Sequence, residues 1–483
     1  MISMPDTRKV ETATAPTAGT ANDRATAKRA AIWTISIVGI AAGAVTGILT
    51  EPPTLWGLMP MLVFLALTLL GTNILLAVVV TATATALVLM PAPAQWGDIA
   101  ISAVANPVTL LGVVTLFGGA VGEVLTRTDV ARVIVSQIMR LTDAARPRRS
   151  IFAIMLACSL VVASLGSFTG SLAIAAPLVI PIAASLGYTR SATAAMMFLG
   201  GGAGLALAPF AGANIAIMTS TGVGYLDYLL IGALPLVAIS LVTGLVAVPR
   251  IQRKTSGGPD DYSAEDYPTA AVEPPTRRAN IATIVFLALL TTAITASIVS
   301  GAGLTVPLIA LPVFAVVTAL VGGLSGRDTA RTIARGMWRL RGMMATFLLL
   351  SLVFVLFDLL QPFQVIIDAF GPRLVQFGPF GFSISVALLG WVGIPGATAA
   401  QVLLIDQVFG SLAQTAAVTT PMWILVLLFG SKADTYGPLP NPNMMGAMGL
   451  ARSSNMRSIL LTGWSVLAPS TIAYFGLVFL FSL

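Results

Sequence analysis

The sequence predicts an all-α polytopic membrane protein: two inverted repeats, about 11 transmembrane helices, two re-entrant hairpins and two broken helices. Three observations predict it. Of 483 residues, 57% are hydrophobic and only 9% charged, whereas a soluble chain carries about a quarter charged residues. Two clusters of small and hydroxyl residues interrupt apolar runs, at Gly166-Ser-Phe-Thr-Gly-Ser171 and Gly393-Ile-Pro-Gly-Ala-Thr398. Each is followed by a break rich in proline and asparagine or glycine, Ala208-Pro-Phe-Ala-Gly-Ala-Asn214 and Gly437-Pro-Leu-Pro-Asn-Pro-Asn443. A shift of 226 residues places Gly170 on Gly396, and a shift of 229 places Asn214 on Asn443.

The elements follow in order. Residues 1–29 are polar and rich in Thr and Ala, carry no cleavable signal pattern, and read as a disordered cytoplasmic tail. Residues 30–55 form an extra first transmembrane helix. The first transport repeat, 56–250, has spans at 56–71, 74–92 and 107–125. Its polar stretch 126–149 reads as an amphipathic helix on the cytoplasmic surface, because valines and isoleucines alternate with Arg127, Arg132 and Arg140. Hairpin 151–187 comes next. Its arms, 151–163 and 172–186, are each shorter than the roughly 20 residues a crossing needs, so they read as entering and returning. A broken helix at 191–222 and a span at 226–249 close this repeat.

Residues 251–279, rich in Pro, Gly, Asp and Glu, form a cytoplasmic linker. The second repeat, 280–483, has spans at 280–300 and 304–322. A loop carrying Arg327, Arg331, Arg335, Arg339 and Arg341 precedes span 343–360. A partly amphipathic stretch at 361–378, hairpin 380–418, a broken helix at 421–450 and a last span at 458–482 complete it. Counted along this path, the basic loops fall on one side. The expectation is a multi-pass protein of the plasma (cytoplasmic, or inner) membrane, amino terminus cytoplasmic and carboxyl terminus extracytoplasmic. The net charge of +7 then reports orientation in the lipid bilayer rather than nucleic-acid binding.

The composition also excludes chemistry. There is no histidine, and the one cysteine, Cys158, lies in an apolar segment. That removes Ser–His and Cys–His catalysis and thiolate or imidazole metal sites. Lys432 is the only lysine beyond residue 254, and nothing places it beside Ser171 as a base. No enzyme, cofactor, catalytic residue or metal ligand is expected.

What remains is the chemistry of helix ends. A helix interrupted inside a membrane exposes N–H groups at one new end and C=O groups at the other. The first can hold an anion and the second a cation. Thr169, Ser171 and Thr398 add hydroxyls, and Asn214, Asn441 and Asn443 add amides. Small residues at a single cluster are more simply helix packing; the repeated hairpin-plus-break points to a binding site. Asp406, within hairpin two, reads either as an intramembrane proton or sodium carrier beside Gln401 or Gln407, or as an acid at the outer edge facing water. Asp434 and Lys432 flank the second break as a pair, and Glu123 and Asp358 read as interfacial.

At these residues the chain resembles the ion transporter superfamily: the divalent-anion/sodium symporters, the citrate–metal symporters, and the gluconate and lactate permeases. The resemblance covers about 56–483. It is carried by Thr169-Gly-Ser171 with Ala175-Ala-Pro-Leu-Val-Ile-Pro181, by the break ending in Asn214, and by Gly437-Pro-Leu-Pro-Asn-Pro-Asn443 with Met448-Gly-Leu450. It implies that tips and breaks surround substrate and coupling ion, at Ser167, Thr169, Gly170, Ser171, Pro209, Gly212, Asn214, Pro395, Gly396, Thr398, Pro440, Asn441 and Asn443. It also implies an elevator-like motion, usually in a homodimer. The Ser-Asn-Thr signature of the divalent-anion symporters is absent from both tips, which keeps H+ and Na+ both open as coupling ion.

The expected function is cation-coupled symport of a small organic anion, a carboxylate such as gluconate, lactate, citrate or a dicarboxylate, by alternating access. Two alternatives stand beside it. One is a sodium/proton antiporter dependent on Asp406 and Asp434. The other is the large membrane subunit of a secondary transporter fed by an extracytoplasmic binding protein.

Overall fold

The computed structural model describes residues 18–70, 72–143, 145–263, 275–300, 305–362, 365, 378–388 and 398–483, and these are helical with no strand among them. The first half comprises α1 (Ala18–Leu49), α2 (Met59–Leu69), α3 (Ile74–Leu89), α4 (Trp96–Ala105), α5 (Pro107–Arg127) and α6 (Val130–Met139). The hairpin pair α7 (Pro147–Leu165) and α8 (Phe168–Ser185) and the broken pair α9 (Arg190–Leu207) and α10 (Gly212–Thr221) follow. Then α11 (Tyr225–Tyr228) runs through a π turn at Leu229–Ala233 into α12 (Leu234–Thr255). The second half comprises α13 (Arg277–Ser300), α14 (Thr305–Val321), α15 (Gly326–Arg339), α16 (Arg341–Leu360), α17 (Gly378–Leu388) and α18 (Thr398–Thr415). The second broken pair α19 (Thr420–Tyr436) and α20 (Pro442–Ala451), and the last helix α21 (Met456–Phe481), complete the chain.

Among the described residues, nine helical stretches are long and apolar enough to cross a bilayer, two of them the arms of the first hairpin. Each of the eleven expected spans contains a helix; those at α2, α3, α14 and α19 are apolar but shorter. The outer surface fits a lipid solvent: Ile37, Ile48 and Ile472 are exposed, the last at 76%. Many buried hydroxyls bond within their own helix, as where Thr81 donates to Ala77 O at 2.8 Å, and others bond across helices, as Ser240 does with Tyr436 at 2.6 Å.

Two packing groups appear. In the first, α1 lies on α2 and α3, and α5 lies among α14, α15 and α16. Glycines spaced four apart let α1 close in: a Cβ on Gly43 would come within 2.7 Å of Ala84 O, and one on Gly47 within 2.0 Å of Leu87 O. The second group surrounds α9, which is buried without interruption from Ser191 to Gly204 and packs on α7, α12, α20 and α21. Gly200 and Gly204 allow this, since Cβ atoms there would meet Met155 O and Ser159 O at 2.3 and 2.2 Å.

The fold differs from expectation at its edges. The arginine-bearing segment read as a loop is α15, a 14-residue helix N-capped by Ser325, which accepts from Asp328 N at 3.1 Å. Arginines at every fourth position share its outer face, while Thr329, Thr332 and Gly336 are buried. Arg339 pairs with Glu123 at 2.9 Å. Helix α1 begins at Ala18, inside the segment read as tail, because alanines at 18, 21, 25, 27, 30 and 31 favour helix; residues 1–17 lie outside the described residues. The linker is also shorter than read. Helix α12 continues to Thr255, and Asp260 caps the start of α9, accepting from Ser191 N at 3.0 Å and Ser191 Oγ at 3.1 Å. Tyr262 then donates to Ala451 O at 3.0 Å; residues 264–274 lie outside the described residues.

The basic segments gather at one end of the bundle. Gly322 sits against Thr128, and Gly323 against Arg278. Tyr188 donates to Pro147 O at 2.9 Å, and Thr189 N donates to Gln252 Oε1 at 2.9 Å.

Candidate functional site

The first hairpin turns in two residues. Gly166, at φ +67, caps α7 and donates its N–H to Val162 O at 2.8 Å. Ser167 is exposed and its carbonyl accepts the N–H and the hydroxyl of Ser171. Thr169, Gly170 and Ser171 therefore occupy the first turn of α8 rather than an open tip. Ser171 is buried; Thr169 and Gly170 are exposed. The arms are 19 and 18 residues long, about 28 and 27 Å of helix, which is longer than the sequence limits implied. Arm length alone does not argue for re-entry. The tip contact bears on it more directly: Gly166 lies beside Ala211 and Phe210 O at the first break, and α10 runs on for ten residues beyond, about 15 Å.

The first break is knit by side chains. Asn214, fully buried, donates from Nδ2 to Leu205 O at 2.8 Å, Ala206 O at 3.1 Å and Ala208 O at 2.8 Å. Tyr225 donates to Leu207 O at 2.6 Å and Tyr228 to Ala206 O at 2.8 Å. Pro209 is buried, consistent with a chain that leaves the helix where no N–H is available. The Asn214 Oδ1 accepts from Lys432 Nζ at 3.1 Å.

The second break uses a similar device one turn earlier. Asn441, buried, N-caps α20 by accepting from Met444 N at 2.9 Å and donates to Thr435 O at 3.1 Å. Asn443 is half-buried in the first turn of α20, and Pro440 is exposed. Asn441, not Asn443, thus does for the second break what Asn214 does for the first. Tyr436, just before this break, shares a 2.6 Å hydrogen bond with Ser240.

Three helix starts converge here. The start of α8 reaches the start of α10 through Gly166 and Ala211. The start of α10 reaches α18, since a Cβ on Gly212 would lie 3.5 Å from Ala399 Cβ. Thr398, first residue of α18, is half-buried. The α8 start also touches the second break, where a Cβ on Gly446 would lie 2.7 Å from Thr169 Oγ1. Helix starts carry unpaired N–H groups and positive partial charge, so their convergence favours an anion. A small, mostly apolar groove opens beside them, lined by Pro209, Phe210, Ile215 and Tyr225 together with Ile294 and Pro307.

Some expected residues fall elsewhere. Pro395 and Gly396 lie outside the described residues, as does most of 361–378. Gln401 is buried and donates to Gly430 O at 3.3 Å. Asp406 is half-buried and accepts from Trp423 Nε1 at 2.8 Å. Trp423 precedes Lys432 by nine positions on α19, about 14 Å of helix, so Asp406 is not in the central cluster. Asp358 accepts from Gln407 at 2.8 Å. The side chain of Asp434 lies outside those described.

Lys432 is the residue that sequence reasoning placed beside the site rather than in it. It is 2% exposed, the only charged side chain among the buried described residues. The available signal was a lone lysine closing the apolar run Trp423–Gly430.

No family model matches the chain, and no curated protein matches it. Solved structures do. The YdaH transporter of Alcanivorax borkumensis matches with a TM-score of 0.56 and 14% identity, covering 80% of this chain and 90% of that one. MtrF of Neisseria gonorrhoeae, described as one of a class of antimetabolite efflux pumps, matches with the same score and identity over 80% of this chain and 82% of its own. The chain has a membrane-transporter fold.

Proposed function

We propose that the protein is a secondary transporter that moves a small organic anion across the membrane, coupled to H+ or Na+, by alternating access. The observation that carries this reading is the convergence of the α8, α10 and α18 starts beside the Lys432–Asn214 pair. Helix-end N–H groups and an ammonium make a site for a carboxylate without an arginine clamp. The two packing groups supply a scaffold and a hairpin-bearing body that can move against it. The superfamily resemblance adds gluconate, lactate, citrate and dicarboxylates as candidate substrates. The expected placement is the cytoplasmic membrane, with the basic end of the bundle inside and two inverted repeats. A homodimer is the expected assembly. Export is the second reading for direction, favoured by the efflux description of the gonococcal neighbour.

Thermal unfolding of the purified protein against a panel of small carboxylates, with and without sodium, tests the reading. A ligand that binds the folded state raises the midpoint by mass action. A shift by one carboxylate class and not by neutral analogues is expected. A response to sodium or pH alone, with every carboxylate silent, would replace organic-anion transport by sodium/proton antiport.

A further inference from the structure

Helix α15 carries charge that the bundle does not use. Its 14 residues hold four arginines and one acid. The acid, Asp328, accepts from the Ser325 hydroxyl at 2.6 Å, and Arg339 is paired with Glu123. Arg327, Arg331 and Arg335 are exposed and have no ion-pair partner among the described residues. In the basic segment of the first repeat, by contrast, Arg132 has Asp129 at 3.7 Å and Arg146 has Asp143 at 3.9 Å. Arg278 brings further positive charge from α13, its side chain lying against Gly323 just ahead of α15.

We propose that the outer face of α15 is a docking surface for anionic phospholipid headgroups of the cytoplasmic leaflet, held by Arg327, Arg331 and Arg335 with Trp338 as the interfacial anchor. The proposal goes beyond the transport reading and needs only the membrane placement of the basic end. Two observations favour lipid over water. Trp338 is 66% exposed. It stands eleven residues after Arg327, about three turns, and so falls within the arginine stripe. Arg341 packs over its ring at 4.4 Å. An indole bared in the middle of a charged face is unfavourable in water, whereas a membrane interface favours it. The second observation is continuity with the lipid-facing surface. Ile309, Val313, Val316 and Leu320 form an exposed apolar row along α14 that ends just before α15, and Met343 is exposed where α16 begins. The face between them therefore meets the headgroup layer.

The residue type fits the ligand. The guanidinium is a planar fork that presents paired donors to a phosphate. At four-residue spacing the three forks extend over about 12 Å of helix. Clusters of basic residues immediately cytoplasmic of a membrane span attract anionic lipid. An anionic lipid offers its phosphate to the arginines and its acyl chains to the α14 row. A zwitterionic lipid offers the same phosphate with a cation of its own beside it, so the surface should prefer the anionic one.

Tryptophan quenching by brominated lipid tests this. The full chain is reconstituted in phosphatidylcholine vesicles, and brominated phosphatidylglycerol or brominated phosphatidylcholine is titrated in. Emission lost on Trp338→Phe isolates that residue from the rest of the seven tryptophans. Brominated phosphatidylglycerol should quench Trp338 at a mole fraction roughly fivefold lower than brominated phosphatidylcholine. An Arg327→Gln, Arg331→Gln, Arg335→Gln variant, read against its own Trp338→Phe counterpart, should lose that difference. The corresponding triple lysine variant should keep most of it, and about 1 M salt should shrink it. Equal quenching by the two lipids in the wild type overturns the proposal, as does a Trp338 that only aqueous iodide reaches, which would turn the face to the cytosol. Neither result depends on the arginine variants folding. Millimolar inorganic phosphate at constant ionic strength should leave the quenching unchanged; relief by phosphate would make the face a small-anion site and sink the lipid assignment. No substrate is added, so a failed carboxylate screen and a failed lipid preference are told apart.

Discussion

Asn214 concentrates more of the site than any other side chain. It ties three carbonyls of the α9 end and accepts from Lys432 Nζ. Replacing it with alanine removes four buried hydrogen bonds at once, each worth roughly 0.5–1.5 kcal/mol. Asn214→Ala should therefore lower the thermal midpoint more than Asn441→Ala, whose main loss is a helix cap of about 1 kcal/mol. Asn443→Ala should lie within about 0.5 kcal/mol of wild type. Calorimetry of the three variants checks the order, and an Asn443 effect equal to that of Asn214 would refute the assignment of Asn441. The sequence made both breaks visible, the first through Pro209 and Gly212 ahead of Asn214, the second through Pro440-Asn-Pro-Asn443. It could not say which asparagine closes the second break, because Asn441 and Asn443 each follow a proline and differ only in where α20 starts. Lys432 was hidden for a related reason: its role depends on Asn214, 218 positions away, and no local pattern reports such a pair.

Helices meet at this site through glycine. Gly446 on α20 admits Thr169 on α8, and any side chain there must displace it. Gly446→Val should push the hairpin from the second break and abolish carboxylate binding, with the helical content of the protein retained in circular dichroism. Thr169→Ala in the same chain removes the Oγ1 and Cγ2 atoms that would clash and should restore binding in part. Equal defects in single and double variants would deny that contact its part. Gly200→Ala and Gly204→Ala press instead on the α7 backbone, and overpacking of that kind costs roughly 1–3 kcal/mol. The lengths of such elements were less legible than their existence. Arms read as 13 and 15 residues are 19 and 18, because Arg-Pro-Arg-Arg at 146–149 looks like loop yet Pro147 opens α7, and small residues at 168–171 look like a tip yet form a first turn. A proline at the first helical position and serine near a helix start are both favoured there.

Across the whole molecule, the basic segments meet at one end while apolar side chains cover the flanks, which fits a body held in lipid with one face in the cytoplasm. The single cysteine, Cys158, is buried, so introduced cysteines report topology with little background. Arg331→Cys should react with a membrane-impermeant maleimide only after lysis, and Ser482→Cys should react in intact spheroplasts. The reverse pattern would invert the orientation. The most direct measurement is carboxylate counterflow in proteoliposomes, using whichever compound most raises the thermal midpoint, with wild type, Asn214→Ala and Asn441→Ala side by side. A buried group left without its hydrogen-bond partner costs about 1–3 kcal/mol, so both variants should lose roughly tenfold or more of the wild-type rate while remaining folded. Wild-type counterflow in both would contradict the claim that the two breaks form the transport site.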